Sequence, residues 1–173
     1  GINSYRQYWI WTYNGAVSFE IDEGTLQNNA WNPTAGQWEH LVLTYDGSNV
    51  ITYRNGGLET NTYPQATGVI NSTTESLLFG DIPGFNHADM ELDEVRISDA
   101  VRSAAWIQTI YNNQNSPSSF YSIQKICPST IPPIAEFSCS VPITIDHTKV
   151  SGTSNLVDFP VLISLTDTGL KSA

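Results

Sequence analysis

Three groups of side chains have the types and spacing to do chemistry. The first is carboxylates: Glu20, Asp22 and Glu23, then Glu91, Asp93 and Glu94. In an extended strand Glu20 and Asp22 fall on one face, because side chains alternate with a period of two, and Glu23 falls on the other. A retaining glycosidase needs two carboxyls about 5–5.5 Å apart across the sugar. A solvated acidic face is the competing reading. The second group is aromatic. Sugar sites combine flat rings with planar polar groups, which makes Trp9, Trp11, Tyr13, Trp31 and Tyr63 the rings to consider. Trp9, Trp11 and Tyr13 alternate with Tyr8, Ile10 and Thr12, so one of these two sets faces a core. Trp31 falls in the polar run Asn28-Asn29-Ala30-Trp31-Asn32-Pro33 and is the tryptophan expected to be exposed, although packing competes with ligand contact. The third group is Cys127 and Cys139, which bracket a Pro-rich stretch. They form either a disulfide stapling that stretch or two unpaired thiols.

Other chemistries have no support. There is no Cys-x-x-Cys and no Cys/His cluster, which argues against zinc and redox roles. His40 has no partner at metal spacing and is expected to hydrogen-bond within a sheet. No Ser/His/Asp arrangement, phosphate-binding Gly loop or dinucleotide fingerprint is present. Asn71-Ser72-Thr73 is a glycosylation sequon, meaningful only in a suitable host.

The net charge of −10, from 17 acids against 7 bases, argues against nucleic acid, whose phosphates need a basic face. It also argues against adsorption to anionic membranes. An acidic surface suits calcium, which prefers carboxylate and carbonyl oxygens, or it is simply a solubilising surface. No run approaches the roughly 20 apolar residues that span a bilayer, so no membrane insertion is expected. No leader is visible at Gly1; a leader, if there was one, has been removed or lies upstream. Only 14% of residues are charged, with five Trp and eight Tyr, the balance of a secreted all-β protein and not of a disordered chain.

The elements that must hold these residues are short strands. Tyr8 to Tyr13 is aromatic and β-branched, and Asn14-Gly15 after it is a hairpin signal. Val17, Phe19 and Ile21 alternate onto one face. Further strands are expected over Trp38–Tyr45, ending in the Asp46-Gly47 turn, and over Val50–Arg54, ending in Asn55-Gly56-Gly57. Two more are expected over 76–80 and 90–97. Trp38 is expected to be structural, in the core strand with Leu41 and Leu43 or capping its start. One helix interrupts the strands. In 103–113, Trp106 and Ile110 are four apart, as are Ile107 and Tyr111, and Ser103 is a plausible N-cap. Short strands with Asn/Asp-Gly turns predict a sandwich or barrel, with this helix at its edge or end. From 116 to 142 the texture turns to Ser and Pro, as in a linker. Two new strands are then expected, near 141–146 and 159–165.

Four landmarks in order carry a family resemblance. They are Trp38-Glu39-His40-Leu41-Val42-Leu43-Thr44-Tyr45-Asp46-Gly47, then Tyr53-Arg54-Asn55-Gly56, then Leu77-Leu78-Phe79-Gly80, then Asp93-Glu94-Val95-Arg96-Ile97. With the helix that follows, the stretch from Gln37 to about Tyr111 resembles the laminin G-like domains of the concanavalin A-like lectin/glucanase superfamily, in its bacterial multi-domain branch. The resemblance implies an all-β fold: an antiparallel β-sandwich (jelly roll) with one short helix, over 1–120. A Pro-rich linker at 121–140 and the first strands of a second β module at 141–173 follow. Ile143-Thr144-Ile145-Asp146 and Asp158-Phe159-Pro160-Val161-Leu162-Ile163 are similar to the opening of modules found beside such domains in large surface proteins.

Members of that family begin with several strands before the one holding Trp9 and Trp11. The sandwich is therefore expected to lack its N-terminal strands, leaving an edge open to pairing with another chain or with the tail. The family's glucanases carry alternating acids in the pattern E-x-D-x-E. Gly24 stands where the third acid would be, so no catalytic residue is assigned. The resemblance also suggests a structural calcium on Asp93, with Asp89 and Asn86 reaching the same loop; hydrogen bonding of Asp93 within that loop is the alternative.

The expectation is a non-catalytic carbohydrate-binding or adhesion module of a secreted or cell-surface protein. Its partners would be glycans or extracellular proteins, with Trp31, Trp11, Tyr13 and Tyr63 as the carbohydrate-binding residues. One alternative is an assembly subunit that self-associates through open strand edges. A second is an accessory or degenerate glycoside hydrolase domain.

Overall fold

A computed structural model describes residues 7–13, 15–21, 27–64, 69–70, 72, 74, 76–80, 89–124 and 141–164, with the backbone alone for 13, 27–30 and 60–64. The chain forms two compact units: Gly1–Arg54 with Leu58–Arg102, and Asn55–Gly57 with Ser103–Ala173.

The first unit is built from six strands. β1 (Tyr8–Tyr13) and β2 (Ala16–Ile21) form the hairpin that Asn14-Gly15 announces. Tyr13 pairs with Ala16 and Tyr8 with Ile21, so the loop is two residues long. Gly15 has φ 78°, the left-handed backbone such a loop demands. β3 (Gln27–Trp31) adds to the other side of β2, with a register irregularity between Val17 and Phe19. β2 is thus central, and both of its faces are covered: Val17, Phe19 and Ile21 are buried on one, Ala16 and Ser18 on the other. The second sheet holds β4 (Leu41–Tyr45), β5 (Asn49–Arg54) and β6 (Gly57–Pro64) in that order. Asp46 closes β4 onto β5, its Oδ1 accepting the backbone N–H of Ser48 (2.9 Å) and of Asn49 (2.7 Å). Asn55 and Gly56 both have positive φ, the pair of conformations a two-residue turn needs to match strand twist.

The core of this unit lies between the sheets. Phe19 and Ile21 of β2 meet Val50 of β5, and Leu43, Tyr45 and Ile70 pack around them. Each such burial contributes about 1.5–3 kcal/mol, which is what holds two small sheets together.

Several expectations are corrected here. The strand expected over Trp38–Tyr45 starts only at Leu41, so Trp38 lies outside it and is 65% exposed. The strands expected over 76–80 and 90–97 are not formed. Strands need ladder partners, and neither segment has one among the described residues. In the second, Glu94 also sits at φ 53°, which breaks the extended backbone. Leu77, Leu78, Phe79, Met90, Leu92, Val95 and Ile97 are consequently 48–63% exposed.

The second unit is organised by α1 (Ala104–Asn115). Ser103 caps it, its hydroxyl accepting the Trp106 N–H at 3.2 Å, and Ile107 and Ile110 form the buried stripe. α2 (Pro117–Phe120) leads into β7 (Tyr121–Ile123), which pairs antiparallel with β8 (Ile143–Ile145). β7 therefore opens the segment expected as a linker, whose residues 125–140 fall outside the described ones, together with Cys127 and Cys139.

Among the described residues the strand expected near 159–165 forms no ladder. Side chains supply the equivalent of one. Asn113 donates to the Leu162 carbonyl (3.0 Å) and accepts its N–H (2.6 Å). Two residues on, the Tyr121 hydroxyl accepts the Ser164 N–H (2.6 Å) and donates to its carbonyl. α1 makes two more ties to the tail. Asn112 donates to the Lys149 carbonyl at 2.7 Å, and the Ser151 N–H donates to Thr109 Oγ1 at 2.9 Å. These bonds hold the helix in one compact unit with the tail.

Candidate functional site

The aromatic candidates part company in the structure. Trp31 ends β3 opposite Val17 and is only 8% exposed, which corrects its expected exposure. A polar neighbourhood in sequence did not reveal that its strand pairs with the central one. Trp11 is half-buried on β1, its ring 4.3 Å from that of Trp9 at an interplanar angle of 32°. The two share the face on which Ser18 is fully buried. Tyr13 and Tyr63 lie at the ends of β1 and β6, and their side chains are outside the described residues.

Trp38 is the tryptophan presented to solvent, and the elements around it explain why. Thr34 to Gln37 forms a turn closed by the Gln37 N–H on the Thr34 carbonyl at 3.2 Å, with Gly36 at φ 72°. Trp38 follows this turn and precedes β4, so no cross-strand neighbour covers it. Next to it in sequence, Glu39 is held by two donors on one oxygen. Its Oε1 accepts the Thr34 N–H at 2.9 Å and the guanidinium of Arg54, at the far end of β5. Arg54 also reaches the Thr34 hydroxyl at 3.4 Å. The carboxylate is largely buried, with 13% of its side chain exposed. Burial pushes the Glu39 carboxyl up, but the Thr34 N–H and the Arg54 guanidinium together outweigh it and hold the group below the usual carboxylate range. Its second oxygen, Oε2, is buried and accepts no hydrogen bond among the described residues.

The sequence reading missed this cluster. A charge pair closing the open end of a hairpin was the available signal. Glu39 lies two residues before Leu41, and Leu41 stands opposite Arg54.

His40, next in line, is half-buried. Burial, and secondarily the positive charge of Arg96, holds its imidazole below the ordinary 6.5. The folded chain thus binds this proton less readily than the unfolded one. Stability owed to neutral His40 is fully present above pH 6.5 and is lost as pH falls through the lower folded value. Melting temperatures are expected to be flat from about pH 8 to about pH 7 and to fall towards about pH 5, with the His40→Gln variant showing a shallower fall.

The carboxylate candidates do not converge. Glu20 is half-buried opposite Trp9, while Asp22 and Glu23 lie outside the described residues. Asp93 and Asp89 are exposed, and Asp93 Oδ1 accepts the neighbouring Glu94 N–H at 2.8 Å. Asn86 lies outside the described residues. Among the described residues no three His, Cys, Asp or Glu side chains gather to hold a metal ion. Among the described residues no helix is long and apolar enough to cross a membrane.

The laminin G family model described as the concanavalin A-like lectin/glucanases superfamily matches residues 1–108. No curated protein and no solved structure matches the chain.

Proposed function

The chain belongs to the concanavalin A-like lectin/glucanase superfamily, with its antiparallel β-sandwich fold, and on that premise we propose that its first unit is a non-catalytic carbohydrate-binding module. It would act in adhesion, in a secreted or cell-surface protein. The observation that carries this reading is Trp38, 65% exposed and next in sequence to Glu39 of the Glu39–Arg54 pair. A sugar ring lays its C–H face on a flat aromatic surface and offers hydroxyls to planar polar groups at the rim. The reading is non-catalytic because Glu39 is held ionised by its donors. A glycosidase's general acid needs the opposite, a carboxyl kept protonated, and a second carboxyl across the sugar.

A glycan array with the wild-type chain and Trp38→Ala tests this. The ring is 65% exposed, so the variant is expected to fold and melt as the wild type does. Losing a stacking contact of about 1–1.5 kcal/mol weakens binding by roughly ten-fold. A folded wild-type chain that binds no glycan, or a variant that binds equally well, would count against the proposal.

A second reading is favoured by the half-exposed apolar residues at 77–79 and 90–97. Apolar surface without a ladder partner suits assembly through strand complementation with another chain. Sedimentation across a wide range of concentration discriminates the two: self-association would support assembly, and a constant monomer mass would remove it.

A further inference from the structure

The second unit contains a pocket of about 350 Å³, open to solvent, that the carbohydrate reading does not use. Six of its nine lining residues are apolar: Phe120, Ile145, Val150, Leu156, Phe159 and Val161. They come from α2, from β8 and from the tail that Asn113 and Tyr121 tie down, so the wall is assembled by the same bonds that build the unit. Phe159 is fixed in place, its ring meeting that of Trp106 edge-on at 5.5 Å and 69°. Three polar residues complete the lining. The Thr109 hydroxyl is engaged, donating to the Ala105 carbonyl at 2.7 Å and accepting the Ser151 N–H. Ser154 and Asn155 make no side-chain hydrogen bond among the described residues.

We propose that this pocket is a binding site for a compact aromatic molecule, about two fused rings in size, that carries one hydrogen-bond donor. Size sets the first part. An enclosed apolar cavity of about 150 Å³ suffices for benzene, and this open pocket is roughly twice that, so one edge of a bound molecule stays in solvent. Lining sets the second. Two phenylalanine rings and four aliphatic side chains favour a flat apolar body. The exposed Asn155 amide and Ser154 hydroxyl offer acceptors for a single donor at its edge.

Indole is the probe, titrated into the whole chain while the methyl NMR signals of Ile145, Val150 and Val161 are followed. Saturable shifts at these methyls with a Kd of about 1 mM or tighter are expected. 1-Methylindole has the same rings without the N–H donor and is expected to bind about three-fold or more weakly. Asn155→Ala should erase much of that difference. Val161→Trp fills the site from its more exposed side and should raise the indole Kd at least ten-fold. A match of its circular dichroism to that of the wild type would show that the fold is kept, and Asn155→Ala provides a second variant at an exposed position. The proposal is overturned if the shifts do not saturate, as for a cavity holding only water or the chain's own side chains. It is equally overturned if they appear away from these methyls, or if Val161→Trp binds indole as the wild type does.

Discussion

Phe19→Ala is expected to cost the first unit about 3–5 kcal/mol, the range for a fully buried phenylalanine cut back to alanine. Phe19 is the residue through which β2 meets Val50 on β5, with Ile21 beside it. Removing its ring takes away transfer energy and leaves a cavity between two three-stranded sheets whose shared core is small. A domain's whole stability is about 5–15 kcal/mol, so the change is a large share of it. The measurement is amide hydrogen exchange at β2 and β5. Their protection should fall by two orders of magnitude or more, since each 1.4 kcal/mol is a factor of ten. Protection equal to the wild type at both strands would show that Phe19 does not join the sheets.

Asn113→Leu is expected to cost the second unit about 2–3 kcal/mol, although it replaces a polar residue with an apolar one of similar size in a fully buried place. The reason is the partner left behind. Asn113 satisfies both the N–H and the carbonyl of Leu162, and leucine satisfies neither. An unsatisfied buried backbone group costs about 1–3 kcal/mol. Leu162 is half-buried, so water recovers part of that and the lower end applies. Urea unfolding followed at the tail, with the Leu162 amide as local reporter, checks the result. A variant as stable as the wild type would mean that burying leucine outweighs both lost bonds. Tyr121→Phe makes the same cut at Ser164 and should act in the same direction.

Sequence and structure agree where the signals are local. Asn14-Gly15 placed the β1–β2 turn, Asp46-Gly47 and Asn55-Gly56 bounded β4 and β5, and Ser103 marked the start of α1. Alternation over Val17, Phe19 and Ile21 picked out core residues correctly, because a central strand must face a core. The readings diverge where a residue's surroundings come from far along the chain. Trp31 is buried because β3 lies against β2, and nothing in the polar run around Trp31 announces that pairing. Trp38 begins an apolar, alternating stretch and reads as its first core residue. The ladder with β5 starts only at Leu41, so alternation continues in sequence where pairing has stopped. At 76–80 and 90–97 alternation likewise marks capacity for a strand without showing a partner. The ties of Asn113 to Leu162 and Tyr121 to Ser164 span 49 and 43 residues and have no sequence signature.

The functional residues follow the same division. Trp11 and Asp93 could be named from spacing and family resemblance, but what distinguishes Trp38 is geometry. A turn at 34–37 and a strand that begins late leave one tryptophan in solvent, next in sequence to a carboxylate held by an ion pair across the hairpin mouth.

Of the five tryptophans, each contributes one indole N–H signal, so a titration can ask which ring meets a sugar. The measurement is the NMR spectrum of those five signals as a glycan bound by the wild-type chain is added. The account predicts that the Trp38 signal shifts and saturates with the binding curve while that of buried Trp31 stays in place. Saturable binding that leaves Trp38 unmoved would contradict it.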